Sequence, residues 1–525
     1  MLRVLIADSL SETATLIFRQ RGIDVDRRVD LGPAELADCI GEYDGLAVRS
    51  RTRVTSEILR AATALRVIGR AGVGVDTVDV PAATAAGVVV MNTPFGNAVT
   101  TAEHAIAMMC TLARNIPEAD ASTRAGRWEK SRFVGIELTG KKLGIIGCGN
   151  IGSIVADRAR GLKMRVLAHD PFLTDERAVA LGVRKVPLET LYAEADVITL
   201  HTPLSDATRN LIDAEAIGRM KPGVRIVNCA RGGLIVEADL RAALEAGQVA
   251  GAAVDVFSEE PAHDNPLFGA PNLVATPHLG ASTTEAQEKV AEQIAEQMAD
   301  YLLTGAIVNA VNMPAVSAEE VPVLRPYMEL AEQLGSFAGQ MAADAIRSVS
   351  LEFEGLAATV NSAPVLSAAL AGLLRPQVTS VNMVSAPRIA QSRGIAVTTV
   401  RHDRPCHYQT LLRLTVEDAS RTRTLAGTLF AGDRPRLIDI QGIAMEAEFA
   451  PNMLYVRNYD RPGLIGGLGT VLGGSGLNIA SLQLGRRESG GEAIVLVAID
   501  GAIDDEVLKM VRALPLVVRA DRLRF

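Results

Sequence analysis

The residues with the types and spacing to do chemistry come in one order along the chain: the turn Gly147-Cys148-Gly149-Asn150-Ile151-Gly152, the acid Asp170, and then Arg231, Glu260 and His278. The turn is a place to hold a dinucleotide. The last three are a cation, a carboxylate and an imidazole, enough to move a hydride and a proton between such a cofactor and a hydroxy acid. A G-x-G-x-x-G pattern carries little alone in a chain of 46 glycines, so its surroundings matter. Residues 143–146 are a short apolar run that predicts a buried strand, and Ile154, Val155 and Ala159 begin a helical pattern just after the turn. In that setting Gly147 permits the tight turn, Gly149 lets backbone approach a pyrophosphate, and Gly152 lets helix pack on strand. Asn150 and Ile151 open the helix, whose unpaired N–H groups suit phosphates.

The following strand, 165–168, runs into His169-Asp170-Pro171. Asp170 therefore stands at a strand tip roughly 20 residues past the glycines, where a carboxylate accepts hydrogen bonds from a ribose 2′-OH. It would repel a 2′-phosphate, so NAD is expected over NADP. Oxidising a 2-hydroxy acid also needs a base near neutrality, and histidine suits. His278 lies in a Pro277-His278-Leu279-Gly280 turn after a strand, and Glu260 can hold one ring nitrogen and fix the tautomer. Arg231 offers a planar cation to a carboxylate or carbonyl oxygen. His104, in an apolar helical stretch, reads as a packed residue. No residue set with metal-ligand spacing stands out.

Further cations suit a substrate with more than one charge. Arg49 and Arg51 flank Ser50, and Arg70 precedes the Gly72-Val73-Gly74 turn, all at predicted strand ends. Backbone N–H groups of Val73 and Gly74 are placed to form an anion-binding nest. Arg127, Lys130 and Arg132 surround Trp128 and are expected to add charge from a neighbouring subunit.

Positioning these groups takes several cores. A length of 525 residues predicts roughly three or four domains. Strands are predicted at 4–7, 45–48, 67–69 and 88–91, a helix at 102–116, and a second alternating series from 142 to 285 with later strands at 197–201, 225–229, 252–256 and 273–276. A helix over 286–303 leaves that series, and Asn309-Ala310-Val311-Asn312-Met313-Pro314 reads as a return to the first domain. Residues 319–346 look helical, 347–450 mix helix and strand, and 452–525 read as a βαββαβ unit. The fold class expected is α/β: two doubly wound parallel-sheet domains, an α/β intervening domain and a ferredoxin-like end. The boundaries are 1–98 with 286–316, then 99–285, 317–450 and 451–525.

A net charge of −8 argues against nucleic acid or an anionic membrane as partner. No apolar run reaches the ~20 residues of a membrane span, and the start enters a strand directly, without a secretory h-region. Cysteines at 39, 110, 148, 229 and 406 lack paired spacing, as expected of reduced thiols in a cytoplasm.

Gly69-Arg70-Ala71-Gly72-Val73-Gly74-Val75-Asp76, Asn228-Cys229-Ala230-Arg231-Gly232-Gly233, Asp255-Val256-Phe257-Ser258-Glu259-Glu260-Pro261 and Pro277-His278-Leu279-Gly280-Ala281-Ser282-Thr283 carry a family resemblance. The chain resembles the long-type D-3-phosphoglycerate dehydrogenases within the D-2-hydroxyacid dehydrogenase superfamily, sharply over 45–313 and less so over 452–525, where the end looks like an ACT domain. The resemblance implies oxidation of 3-phospho-D-glycerate by NAD to 3-phosphohydroxypyruvate, the first step of L-serine synthesis, with Arg231, Glu260 and His278 catalytic and Glu259, beside the acid of the family motif, a solvated neighbour. It places His201, Thr202, Cys229, Ala230, Asp255, Gly280 and Ala281 on the cofactor side, with Asp255 toward the nicotinamide. It also implies a homo-oligomer, dimer or tetramer, and L-serine as effector near Asn458, Asp460 and Asn478. A shorter glyoxylate or hydroxypyruvate reductase and an NAD-sensing corepressor are the competing readings.

Overall fold

The computed structural model describes residues 1–342, 344–403 and 407–525, so Cys406 lies outside the described residues. The other four cysteines are free. Four sheets organise the described chain. The first is wholly parallel, in the order Asp24–Arg27, Arg3–Ile6, Gly45–Val48, Val67–Arg70, Val89–Met91. Its edge strand was not anticipated, because Asp24-Val25-Asp26-Arg27 buries only Val25 and has no apolar run to announce it.

The second sheet is also parallel: Leu273–Ala275, Val249–Val254, Val224–Asn228, Val197–Leu200, Lys142–Ile146, Arg165–His169, Arg184–Lys185. Strand order reverses beside Lys142–Ile146, and a doubly wound sheet leaves a crevice for ligands at that switch point.

Two helices stitch these sheets together. Ala98–Ala113 buries Ala102, Ala105, Met108 and Met109 in the core of the second sheet. Thr284–Thr304 runs the other way and buries Ile294 and Met298 on the first. Gly69 must be glycine there, since a Cβ would fall 2.2 Å from Met298 Sδ. The chain then pairs again with the first sheet: Met91 bridges Ala310, and Asn312 accepts from Val90 N at 2.9 Å and donates to Val88 O at 2.8 Å.

Helix Glu320–Met341 stops short of the predicted 346, and Ile346 opens a strand, Ile346–Gly355. The helix packs on Ser362–Leu374 through glycines: a Cβ on Gly335 or Gly339 would lie 2.1 or 2.2 Å from the carbonyls of Ala369 or Leu373. Beneath lies a six-stranded sheet, Ala396–Arg401, Ile346–Gly355, Thr410–Asp418, Thr422–Phe430, Arg434–Ile440, Ile443–Glu448. This region touches the first domain, where Asn382 Nδ2 donates to Gly87 O at 2.8 Å and Arg388 to Pro81 O at 2.9 Å.

The end is a four-stranded antiparallel sheet in the order Asn478–Arg486, Glu492–Asp500, Asn452–Tyr459, Val517–Arg524, with helices Leu464–Gly474 and Asp505–Arg512. Both sheet faces are apolar. Leu454, Val456, Val495 and Val497 pack under its own helices, while Met453, Tyr455, Ile494 and Leu496 join the core of the preceding region. Tyr455 meets Phe337 edge-on, with ring centroids 6.0 Å apart. Among the described residues no helix is long and apolar enough to cross a membrane.

Candidate active site

The turns after Val224–Asn228, Val249–Val254 and Leu273–Ala275 bring Arg231, Glu260 and His278 to the carboxyl end of the second sheet. His278 Nδ1 lies 2.7 Å from Glu260 Oε2, and Glu260 Oε1 accepts from Phe257 N at 3.0 Å. Burial pushes the Glu260 carboxyl up, but the bonds from His278 and Phe257 outweigh it and hold its pKa below the usual value. The imidazole keeps 46% of its side-chain surface exposed, so its other nitrogen is open to a substrate. Glu259 is exposed, as expected.

His278 adopts φ 56, the left-handed region that a residue with a Cβ enters only when its surroundings hold it. Asp255 supplies that hold. Its carbonyl accepts from His278 N at 2.8 Å, and its carboxylate, fully buried, accepts from Leu279 N, Gly280 N and Thr276 Oγ1 at 2.7, 2.8 and 2.6 Å. His104 Nε2 stands 3.2 Å from the same carboxylate. Sequence reasoning missed this anchoring, because an isolated histidine in an apolar helix gives no sign of the loop it will face.

Arg231 is shaped by its neighbours. Asn228, the last strand residue, accepts from Ala230 N at 3.0 Å and donates to Arg231 O at 2.9 Å. Gly232 lets the turn pass Phe257, whose carbonyl oxygen would be 1.8 Å from an added Cβ. The Arg231 guanidinium faces the first domain, where Arg70 is half-buried with its Nε unpartnered. Burial, then the nearby charges of Arg231 and Arg49, pull the Arg70 pKa down to about 10. Burial is the larger cause, and the Asp76 and Asp8 carboxylates act the other way; what marks the place is that Arg231 and Arg49 both stand close enough to Arg70 to repel it. Val73 and Gly74 lie in the loop after Arg70, steadied by Asn92, which donates to Val73 O at 2.5 Å. Arg51 does not join the group. It donates to Asp30 Oδ1 at 2.8 Å with 68% of its side chain exposed, so this cation, expected to serve the substrate, already has a carboxylate partner. Arg127 and Arg132 likewise both pair with Glu129, at 3.4 and 3.2 Å.

The glycine turn divides its labour as its spacing predicts. Gly147 has φ 91, and a Cβ on Gly152 would lie 2.0 Å from Gly147 O, while one on Gly149 would meet nothing within 4 Å. The helix Asn150–Gly161 starts with no side-chain cap, leaving its first N–H groups for phosphate. Asp170 accepts from Cys148 N and from Phe172 N, both at 2.7 Å, so it braces the turn from the second strand tip. His201, one residue past the strand Val197–Leu200, is half-buried. Its Nε2 is 2.9 Å from Thr199 Oγ1, its Nδ1 is buried without a partner, and burial lowers its pKa to about 4. Thr202 and Ala281 are half-buried beside it and beyond Gly280, and Cys229 and Ala230 are buried under Arg231. Burial raises the thiols of Cys148 and Cys229, which are therefore packing groups rather than nucleophiles. His104, Cys229 and Asp255 lie within ligating reach of one another, but the Asp255 carboxylate is already taken up by Thr276 Oγ1, Leu279 N and Gly280 N.

In the end domain the three candidate effector residues have separate partners. Asn458 is 1% exposed, its Nδ2 donating to Tyr459 O at 3.0 Å and its Oδ1 unpartnered, Asp460 pairs with Arg486 at 2.9 Å, and Asn478 donates to Asp500 at 2.7 Å.

With this geometry in view, comparisons with known proteins are direct. Residues 106–280 match the D-isomer specific 2-hydroxyacid dehydrogenase NAD binding domain, 323–441 the D-3-phosphoglycerate dehydrogenase intervening domain, and 452–516 the ACT domain. The D-3-phosphoglycerate dehydrogenase of Synechocystis is 42% identical over 97% of this chain and 92% of that one, and the Bacillus subtilis enzyme of that name 40% identical over 99% and 98%. The chain belongs to the D-3-phosphoglycerate dehydrogenase family. The chain also superposes in part on shorter relatives. A glyoxylate reductase from Paecilomyes thermophila gives a TM-score of 0.55 at 29% identity, covering 59% of this chain and 98% of that one. The D-lactate dehydrogenase of Escherichia coli gives 0.53 at 28%, covering 59% and 100%. The chain is thus an NAD-dependent dehydrogenase carrying an intervening domain and an ACT domain.

Proposed function

We propose that the site oxidises 3-phospho-D-glycerate to 3-phosphohydroxypyruvate, and that Arg231, Glu260 and His278 do the work. The observation that carries this reading is the His278–Glu260 pair, 2.7 Å apart, at the same sheet end as Arg231, whose charge is felt by Arg70 of the first domain together with that of Arg49. Arg231, with the Val73 and Gly74 backbone, holds the carboxylate end, and Arg70 and Arg49 add charge for a phosphorylated acid. With Nδ1 held by Glu260, the other nitrogen, Nε2, takes the hydroxyl proton as the O–H bond breaks and the C=O bond forms. NAD, when bound, supplies the acceptor for the hydride leaving the same carbon; Gly147, Gly149, Asn150, Ile151, Gly152 and Asp170 are the residues that would hold it. An assay of NADH formation with 3-phosphoglycerate, D-glycerate and D-lactate tests the substrate. A preference for either unphosphorylated acid would replace this reading with that of a shorter-type reductase.

L-serine is the effector in this reading, bound where two copies pair their Asn478–Arg486 edges, with its ammonium displacing Arg486 from Asp460. A homo-oligomer, dimer or tetramer, follows from that pairing and from Trp128 and Val134, 86% and 78% exposed at the dehydrogenase surface. The four free thiols are in keeping with a cytoplasmic setting. Absence of inhibition or calorimetric binding at millimolar serine would leave the ACT domain as an assembly device.

A further inference from the structure

Asp76 lies six residues past Arg70 in the loop that carries Val73 and Gly74, and its carboxylate reaches across the cleft to the other domain. Its Oδ2 stands 3.4 Å from Arg231 Nε. The guanidinium is thereby held on two sides. Nη1 donates to Ala230 O at 2.6 Å within its own turn, and Nε faces Asp76 from the opposite lobe. Nη2 is the end left over, and it lies against the first-domain loop. A Cβ on Gly74 would fall 2.3 Å from Nη2 and 2.6 Å from Asp76 Oδ2. With glycine at 74 the carboxylate, guanidinium and loop backbone meet at one point, and a side chain there would push the two charged ends aside.

We infer that Asp76 is a positioning residue for the reaction, fixing the Arg231 guanidinium across the cleft so that Nη2 and the Val73–Gly74 backbone converge on the substrate's carboxylate. This rests on the reading of Arg231 as the cation that holds the substrate. The pair works through orientation rather than stability. Asp76 keeps 71% of its side chain exposed, and ion pairs so exposed add little to folding. Orientation is another matter, because a planar fork turned by one bond presents a different edge, and misplacement of a positioning group by about 1 Å costs of the order of 10²-fold in rate. Asp76 also ties the turn after Val224–Asn228 to the turn after Val67–Arg70, so the contact is made only when the two lobes stand at this separation.

The experiment uses the full-length protein with NAD and measures kcat and KM for 3-phosphoglycerate in Asp76→Ala, Asp76→Asn and the double variant Asp76→Ala/Arg231→Lys. Asp76→Ala should lower kcat by about 10- to 100-fold while KM for NAD stays within about twofold. Asp76→Asn, which keeps the size of the side chain and an oxygen to face Nε, should recover kcat to within about fivefold of wild type, a rescue that general structural damage would not allow. Removing Asp76 after Arg231→Lys should cost less than about twofold more, because the group it positions is gone. A kcat for Asp76→Ala within about twofold of wild type would overturn the inference, as would losses that multiply in the double variant. An unchanged kcat with KM about tenfold lower would also overturn it, leaving Asp76 only a counter-charge to the arginines. If wild type oxidises a different 2-hydroxy acid, the substrate reading fails, and the same comparison on that acid still decides the role of Asp76.

Discussion

Glu260 and His278 meet through one short contact, Oε2 to Nδ1 at 2.7 Å, while the other Glu260 oxygen is fixed by Phe257 N at 3.0 Å. The carboxylate is therefore held at both ends and imposes a tautomer on the ring: Nδ1 carries the hydrogen and Nε2 is left as acceptor. Replacing Glu260 by Gln keeps the shape but lets the amide donate to Nδ1, which would put the hydrogen on Nε2 and block proton uptake. Glu260→Gln should lower kcat by about 10²-fold with the KM for NAD little changed. A loss confined to KM would contradict this account of the pair.

The glycine turn gives a prediction that separates folding from binding. Gly149→Ala adds a methyl where nothing lies within 4 Å, whereas Gly152→Ala adds one 2.0 Å from Gly147 O. Thermal melting should leave Gly149→Ala near wild type and lower Gly152→Ala, while calorimetry should find NAD binding weakened in both. Normal NAD affinity in Gly149→Ala would mean that the cofactor does not pass over that position.

Arg70 and Arg51 look alike in the sequence and differ in the fold. Arg70 is half-buried near Arg231 and Arg49, and Arg51 is exposed and paired with Asp30. Arg70→Ala should cut kcat/KM for 3-phosphoglycerate by about 10- to 100-fold, as expected when a charge-assisted contact is lost, and Arg51→Ala by less than about threefold. Equal losses would place Arg51 in the cleft during turnover.

Burial would push the Asp418 carboxyl up, but Arg423 and the N–H groups of Ser420 and Arg421 outweigh it and hold it well below the usual carboxylate range. Both side chains of the Asp418–Arg423 pair are almost wholly inaccessible. Asp418→Ala leaves a buried guanidinium unpaired and should cost about 3–5 kcal/mol in the unfolding of the intervening region. Since the folded pKa lies below the unfolded one, the stabilisation is complete above the unfolded value and is lost as pH falls through the folded one. The difference in melting between wild type and Asp418→Ala should thus hold down to about pH 4 and shrink only below it.

How far the sequence reveals this molecule depends on how local each determinant is. The turn from Gly147 to Gly152, the strand ends before Arg231 and His278, and the βαββαβ order of the last domain are written in short segments, and the structure has them within a few residues. Asp24–Arg27 was missed because an edge strand with one buried side chain has no apolar signature. Ile346 was read as helix because the chain passes from helix to strand within five residues and without a proline. Long-range pairing was invisible in principle. Nothing near Arg51 announces Asp30, nothing near His104 announces Asp255, and nothing near Tyr455 shows that alternate residues of its strand serve two cores. That last point matters for dissection. Deleting 452–525 would uncover Phe337 and Met341, so serine sensitivity is better probed with Asn478→Ala in the full chain.

The most direct test of the catalytic assignment is the turnover of His278→Ala with NAD and 3-phosphoglycerate, measured beside its affinity for NAD. The ring removed is the proton acceptor, while the cofactor-side turn at Gly147 is untouched, so kcat should fall by about 10²–10⁴-fold with NAD affinity within about threefold of wild type. Near-normal turnover in His278→Ala would contradict the assignment of His278 as the base.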